Sequence, residues 1–560
     1  MTFLYKTQPY THQREALEDS ADSEYHALLM SMRTGKSKVI IDTTTHLYGR
    51  GEVNALVVVA PKGVHRNWVV NEVPDHLPNE VSHLAAFWQG LNTKTQQRAW
   101  ERLFNEDSIP LRIFTFNYDA IIHPKGKTQF KRVLTTFKCL LAADESHRMK
   151  TPTARRTKVM LAAAQHAPYR RILTGTFLTQ GPLDAYAQLK FLDPTITGFT
   201  TFTAFRSHYA VLNAKLLAPG RAKLEAHLRR QGIDPGMIEI SAFATTATLR
   251  AAGCRPGRDY FEEITDYQRL SDLHAAVAPH ATIVRAKDCV DLPPKVYERV
   301  YVELTPEQRR VYKELLAKSV AELTEGGAQP PTGLGPEEII LWCLEERDKV
   351  RADNALTKLL RLQQVVGGHA TTEEGEVTPI PSNRLNQLLE TLGDLDGKAL
   401  IWARFKPELT NIYRSLQETY GEAAVVRYYG GVGDEERAEA VRRLDQDPAC
   451  RFLVGNPQSG GIGLPLHAAD TMIYYSKDFN LETYLQSEER ASKVGKTHNI
   501  LIIDLVAPDT TDEKVLEALA VKRETADEFY DEVLEVQGAC THVSITGAIC
   551  DGCGQVVLAS

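Results

Sequence analysis

Long apolar runs are missing from this 560-residue sequence: none approaches the roughly 18 residues a bilayer-spanning helix needs, so no membrane span is expected. The first residues, MTFLYKTQPYTHQ, lack the apolar core of a secretory signal, which makes a cytoplasmic location the expectation. Cysteine is scarce, with eight in the chain. Five of them (Cys139, Cys254, Cys289, Cys343 and Cys450) are scattered, which excludes a disulfide scaffold and leaves them structural or inert. An excess of positive charge is absent too. With a formal net charge of −7, any contact with nucleic acid must come from local patches of Lys and Arg. No long low-complexity tract occurs, and 43% apolar with 24% charged residues is an ordinary globular composition. A chain this long has room for about three to four domains, each with its own core.

What is present begins with Met30-Ser31-Met32-Arg33-Thr34-Gly35-Lys36-Ser37, then Val39-Ile40-Ile41. A Gly-Lys-Ser that opens a helix after a short apolar strand (Ala27 to Met30) can cradle a nucleoside triphosphate. Backbone N–H groups at a helix N-terminus point at phosphates, and the helix dipole favours their charge. Lys36 would reach the β- and γ-phosphates, and the Ser37 hydroxyl would hold Mg²⁺. The position five before Gly35, glycine in the usual pattern, is Met30, so an ordinary strand–helix corner stays open on this stretch alone. Gln13, a short way upstream, can read an adenine edge or cap a surface helix.

Farther along, Ala55 to Ala60 is a β-branched run ending at Pro61-Lys62, and Arg112 to Phe116 is a second such run; both read as buried parallel strands. Phe137 to Ala143 runs into Asp144-Glu145-Ser146-His147, placing two carboxylates at a strand C-terminus, where open α/β sheets hold ligands. Asp144 would hold Mg²⁺, and Glu145 would orient or deprotonate the attacking water. Arg171-Ile172-Leu173 then ends in Thr174-Gly175-Thr176, small residues able to couple the nucleotide site to a neighbouring domain. Strand–helix alternation with polar motifs at strand ends predicts a doubly wound lobe over 1–195.

Residues 196–290 break that rhythm and read as a mostly helical insertion with basic residues at Arg221, Lys223, Arg229 and Arg230. Residues 291–381 read as a helical linker with a Gly/Pro-rich loop. A second alternating unit over 382–535 has strands at Ala399 to Trp402, Val425 to Tyr428, Arg451 to Val454, Met472 to Tyr475 and Ile500 to Ile503, and no P-loop. It offers a Gly-rich loop, Ser459-Gly460-Gly461-Ile462-Gly463-Leu464, and the stretch Gln486 to Lys496 with Arg490 and Lys493. Glycines let backbone approach a phosphate chain, and an Arg facing across a cleft can stabilise charge on a transferring γ-phosphate.

Together, Gln13, Met32 to Ser37, Asp144 to His147, Leu173 to Thr176, the 459–464 loop and Gln486 to Lys496 resemble the superfamily 2 helicases, and most of all the Snf2-like DNA translocases. Phe191-Leu192-Asp193-Pro194, Leu292-Pro293-Pro294-Lys295 and Ala468-Ala469-Asp470-Thr471 narrow the resemblance, which covers about residues 5–530 and is greatest to compact bacteriophage-encoded members. It implies an α/β fold of two RecA-like doubly wound parallel-sheet lobes with a helical insertion, and one ATP site shared between the lobes. Gln13, Arg33, Thr34, Gly35, Lys36, Ser37 and Gly463 would bind ATP; Ser37 and Asp144 would bind Mg²⁺. Lys36, Asp144, Glu145, Gln486 and Arg490 would serve catalysis, and Thr174, Gly175 and Thr176 coupling. Duplex DNA would be met by Lys62, Asn67, Trp68, Thr115, Tyr118, Arg404, Ser459, Gly460 and Gly461, mainly at phosphates and so with little sequence preference. The chain departs from the family pattern at Ser146 (Ala in the family), Phe177 (Pro) and Lys493 (Arg); Lys cannot reproduce the bidentate fork of Arg.

The tail, 536–560, carries Cys540-Thr541-His542 and Cys550-Asp551-Gly552-Cys553, a ligand set for a small zinc-ribbon-like Zn²⁺ site whose metal would supply the folding energy; a redox pair is the alternative. The expected protein is a monomeric ATP-driven DNA translocase, in the host cytoplasm if phage-encoded, with room for protein partners at 196–290 or at the tail. A strand-separating helicase and a weakly hydrolysing, ATP-switched DNA-binding protein remain as alternatives.

Overall fold

The apolar runs form the strands of the first lobe: β1 (Tyr25–Met30), β2 (Ala55–Ala60), β3 (His83–Phe87), β4 (Leu111–Asn117), β5 (Cys139–Asp144) and β6 (Tyr169–Leu173). The computed structural model describes residues 4–539 except 107–109, 217, 238–245, 256–257, 290–292, 327, 329, 331–332, 346–348, 373–374, 459–465, 493–495 and 497, and also 545–546 and 549–550. β2 and β5 are buried along their whole length, as strands covered on both faces must be. Successive side chains point to opposite faces, so Val57, Val59 and Leu141 pack with Trp100 and Phe116 on one side. Leu56, Val58 and Leu140 pack with Val39, Ile40 and Ile41 of the helix Lys36–Gly49 on the other.

Residues 196–290, expected to be mostly helical, carry helices such as Phe202–Tyr209, Ala218–Arg230 and Leu270–Val277 and also three strands. β7 (Ala210–Leu216) and β8 (Tyr260–Tyr267) pair antiparallel, with a register irregularity between Val211 and Leu212. β9 (Ala281–Val284) pairs with β1 and completes a seven-stranded sheet in the order β3-β4-β2-β5-β6-β1-β9, parallel throughout. The first lobe therefore takes in chain well beyond residue 195.

β10 (Lys295–Tyr301), in the stretch expected as linker, belongs to the second lobe. After it come the helices Pro306–Glu325, Pro336–Glu345 and Lys349–Val366, packed around Leu316, Ile340 and Leu359. Thr305 accepts from the Gln308 N–H and Gln308 Oε1 accepts from the Thr305 N–H, a reciprocal cap that starts the first of these helices. A hairpin, β11 (His369–Thr371) with β12 (Val377–Pro379), follows. β13 (Ala399–Trp402), β14 (Val425–Tyr428), β15 (Phe452–Gly455), β16 (Thr471–Tyr474) and β17 (Ile500–Val506) complete a parallel six-stranded sheet, β10-β17-β16-β13-β15-β14.

The helix Thr511–Ala539 then crosses between lobes. Val515 and Leu519 sit in the second lobe's core, Phe529 and Val533 in the first lobe's. No break falls at residue 535. Two short strands, Ile545–Thr546 and Ile549–Cys550, pair antiparallel. Cys540, His542 and Cys553 lie outside the described residues, as does the Cys550 side chain; among the described residues no His/Cys/Asp/Glu group is arranged to hold a metal ion. No described helix is long and apolar enough to cross a membrane.

Candidate functional site

The chain turns from β1 into the helix Lys36–Gly49 through Gly35, whose φ of +89° suits glycine. A Cβ there would also lie 2.1 Å from Gln13 Nε2. Gln13, expected at adenine, holds this loop: its Nε2 donates to Thr34 O at 3.1 Å, and its Oε1 accepts from the Tyr10 N–H at 3.1 Å. The Thr34 hydroxyl donates to Ser31 O at 2.7 Å. The Lys36 ammonium folds into the loop and donates to Met30 O (2.8 Å) and Ser31 O (3.1 Å). Burial pushes its pKa down, against the pull of Glu145, Asp144 and Glu489.

Asp144 and Glu145 stand at the C-terminal end of β5, and burial raises both carboxyls above their usual values. Trp68 Nε1 donates to Asp144 Oδ2 at 2.9 Å, and the Tyr118 hydroxyl donates to Asp144 O at 2.9 Å. Glu145 has φ +51°, a strained left-handed backbone for a non-glycine residue. Ser146, where the family has Ala, donates to Gln188 Oε1 at 2.6 Å, and Gln188 Nε2 donates to Phe177 O at 2.9 Å. The substitution thus ties the Asp-Glu turn to the one after β6. His147 Nδ1 lies 3.3 Å from Thr174 Oγ1 and 3.4 Å from Glu145 Oε2, and the Thr176 N–H donates to Thr174 Oγ1 at 3.0 Å. Gly175 packs on the phosphate loop, where a Cβ would come within 3.3 Å of Met30 O.

From the second lobe, the helix Leu481–Ala491 presents Glu482, Gln486 and Arg490. Gln486 Nε2 donates to Glu482 Oε1 at 2.9 Å. Arg490 Nη2 donates to Pro457 O at 3.0 Å, and its guanidinium lies 5.5 Å from the Trp402 ring centroid. Arg33, expected among the phosphate ligands, reaches across instead: its Nη2 donates to Arg490 O at 3.2 Å.

Three residues expected at DNA are buried in the first lobe. Trp68, Thr115 and Tyr118 are 1%, 0% and 2% exposed, and their polar atoms bond Asp144 Oδ2, His65 O and Asp144 O. They support the site from beneath. Asn67 Nδ2 donates to Glu72 Oε1 at 3.0 Å. A π-helical turn, Trp68–Glu72, aims Trp68 at Asp144 and brings the Glu72 carboxylate to the Ser37 hydroxyl. Sequence reasoning missed Glu72 and Glu482; only the four-residue spacing of Glu482 from Gln486, on one helix face, could have hinted at the latter. Ser459, Gly460, Gly461, Gly463 and Lys493 lie outside the described residues.

Beside these groups a cleft of about 1380 Å³ opens between the lobes. Lys62, Arg66, Arg148, Lys150 and Arg156 line it from one lobe, Arg404, Arg437, Arg490 and Lys522 from the other, with Asp478 and Glu482 its only lining carboxylates among the described residues.

Two parallel-sheet lobes, a phosphate loop on one and a facing Gln486/Arg490 helix on the other define a class: the two-lobed P-loop ATPases of helicase superfamily 2. Within it the chain belongs to the SNF2-related family, whose SNF2-related domain matches residues 6–354; the helicase conserved C-terminal domain matches residues 382–495. It is similar to the ATP-dependent helicase brm of Drosophila melanogaster, 23% identical over 504 residues covering 88% of this chain and 27% of that protein. It is also similar to the lymphoid-specific helicase of Homo sapiens, 21% identical over 544 residues covering 88% of this chain and 59% of that protein. The chain thus spans less than two thirds of either relative. Among solved structures it is similar to a Sulfolobus solfataricus SWI2/SNF2 ATPase core in complex with dsDNA, at 18% identity, 97% coverage of each chain and a TM-score of 0.36.

Proposed function

We propose that this protein is a DNA-dependent ATPase that moves along duplex DNA. One observation carries the reading: among the described residues, nine Lys and Arg line the interlobe cleft against two carboxylates, in a chain whose net charge is −7. Phosphate backbones bind through such local cation density. The cleft adjoins the ATP-site groups, so nucleotide-driven closure would change the grip on a backbone lying in it.

ATP suits the residues present. Lys36 is a buried ammonium already satisfied by acceptor oxygens at a helix N-terminus, a geometry that phosphate oxygens can take over. Ser37 and Asp144 would hold Mg²⁺, which neutralises phosphate charge when bound. Glu145, with its raised pKa, is suited to take a proton from water, and His147 sits between it and Thr174. Arg490 faces the site from the second lobe.

ATPase rates measured side by side with duplex, single-stranded and forked DNA and with RNA test the reading. Duplex stimulation, lost in Lys36→Ala, is expected; full activity in Lys36→Ala refutes it. Triplex displacement without duplex unwinding separates translocation from strand separation. Lys493, in place of Arg, favours one second reading, an ATP-switched DNA-binding protein, for which nucleotide-dependent DNA affinity would come without turnover. For the tail, the spacing of Cys540, His542, Cys550 and Cys553 supports structural zinc, tested by the metal content of freshly purified protein.

A further inference from the structure

The helix Thr511–Ala539 touches both halves of the ATP site with one face. Arg523 Nη2 lies 3.1 Å from Glu488 Oε1, and Glu488 sits on the second-lobe helix between Gln486 and Arg490. Seven residues on, and therefore on the same face, Tyr530 meets the turn that follows β6. The Phe177 N–H donates to Tyr530 Oη at 2.9 Å, and the Tyr530 hydroxyl points to Gly175 O at 3.4 Å. Each end is anchored separately. Lys522 Nζ donates to Phe479 O at 2.9 Å on the second lobe. His274 pairs with Glu532 at 2.7 Å, and Gln537 Nε2 donates to Ala278 O and Ala281 O at 2.8 and 2.7 Å on the first. No Gly or Pro occurs from Thr511 to Gln537, so the helix has no built-in hinge.

We infer that this helix is a rigid strut linking the Gln486–Arg490 helix to the Gly175–Phe177 turn, with Tyr530 the positioning residue at its first-lobe end. A shift of the Arg490 helix pulls on Glu488, moves Arg523, and reaches the turn beside the phosphate loop without passing through the nucleotide. The contact depends on a departure already noted in the sequence. Proline at position 177 has no N–H to donate, whereas Phe177 supplies one and packs its ring 5.8 Å from Phe529. Gly175, whose carbonyl Tyr530 also reaches, is the residue that packs against Met30 O of the phosphate loop.

The inference rests on the ATPase reading for its catalytic consequence but not for the contact itself, and the experiment separates the two. In the full chain, Tyr530→Phe keeps the ring and removes the hydroxyl, while Phe177→Pro removes the N–H. Hydrogen exchange of the Phe177 amide should speed up about two- to tenfold in Tyr530→Phe, the span of one neutral hydrogen bond. The ratio of duplex-stimulated to basal ATPase rate should fall by a similar factor, about two- to tenfold, in either variant, and no further when both are combined. Unchanged exchange at Phe177, losses that multiply in the double variant, or stimulated and basal rates falling together with the melting temperature would each overturn the strut. A wild-type protein that DNA does not stimulate would sink the motor reading instead, and the exchange result would still decide the contact.

Discussion

His147 on the first lobe and Glu482 on the second stand 2.7 Å apart, Nε2 to Oε1. The pair spans the cleft beside Glu145. Burial works to raise the Glu482 carboxyl, but His147, Arg148 and Lys150 outweigh it and hold the pKa below its usual value. The sign follows from that lowering: the pairing is present above the ordinary glutamate pKa and is lost as pH falls through the depressed one. Glu482→Gln is expected to weaken lobe closure by about 1–2 kcal/mol, a roughly five- to thirtyfold shift of the equilibrium. Fluorescence energy transfer between dyes on the two lobes measures it, and wild type and variant should converge in acid.

Glu145 behaves in the opposite sense. Burial raises its pKa, so its charge costs stability at neutral pH, and that cost fades as pH falls through the raised value towards the ordinary one. Glu145→Gln should therefore abolish ATP hydrolysis while raising the melting temperature, by about 1–3 °C. Melting curves from pH 5 to 8 check this: the difference from wild type should be largest at the alkaline end. A variant less stable than wild type across the range contradicts the assignment.

Which parts of this were legible beforehand follows from what periodicity can and cannot encode. Fully buried parallel strands announce themselves, as Ala55 to Ala60 and Ala399 to Trp402 do, because neither face can carry polar residues. β10 does not: it is an edge strand with Tyr297 and Tyr301 exposed, and only its pairing with β17 assigns it to the second lobe. β7 and β8 pair across a long stretch of sequence, so no short turn signals their ribbon. The motif order singled out Asp144, Glu145 and Lys36, which the fold brings near one another, and set Trp68 at DNA, while the indole's partner is a carboxylate 76 positions away in the chain. The helix Thr511–Ala539 shows the same limit: apolar spacing says that a face is buried, but not that its two ends are buried in different lobes.

Trp68 offers a direct test of its reassignment. Trp68→Phe preserves an aromatic ring in the core but deletes the donor to Asp144 Oδ2, leaving that buried carboxylate short of a partner. Losing it should cost about 1–3 kcal/mol, the penalty for an unsatisfied buried group, and push the Asp144 pKa higher still. The Mg²⁺ concentration for half-maximal ATPase should rise while duplex affinity without nucleotide stays at the wild-type value. Loss of that affinity with unchanged Mg²⁺ dependence would return Trp68 to the DNA surface.

Arg490 and Lys493 divide the last question between them. The Arg490 guanidinium is held in the wall of the second lobe by Pro457 O and the face of Trp402, and burial lowers its pKa to about 10, which leaves it charged at neutral pH. A side chain so anchored is committed in part to the architecture of its own lobe, so Arg490→Lys should lower both the melting temperature and the ATPase rate. Position 493 carries another cation of this segment, as a lysine that offers a point charge in place of a planar fork. If the γ-phosphate is met from position 493, Lys493→Arg restores bidentate contact at the transition state and raises duplex-stimulated kcat by about tenfold or more, with KM for ATP little changed. Single-turnover ATP hydrolysis measures the step directly. An unchanged or slower rate in Lys493→Arg would assign the transition-state contact to Arg490 and make position 493 a contributor to binding alone.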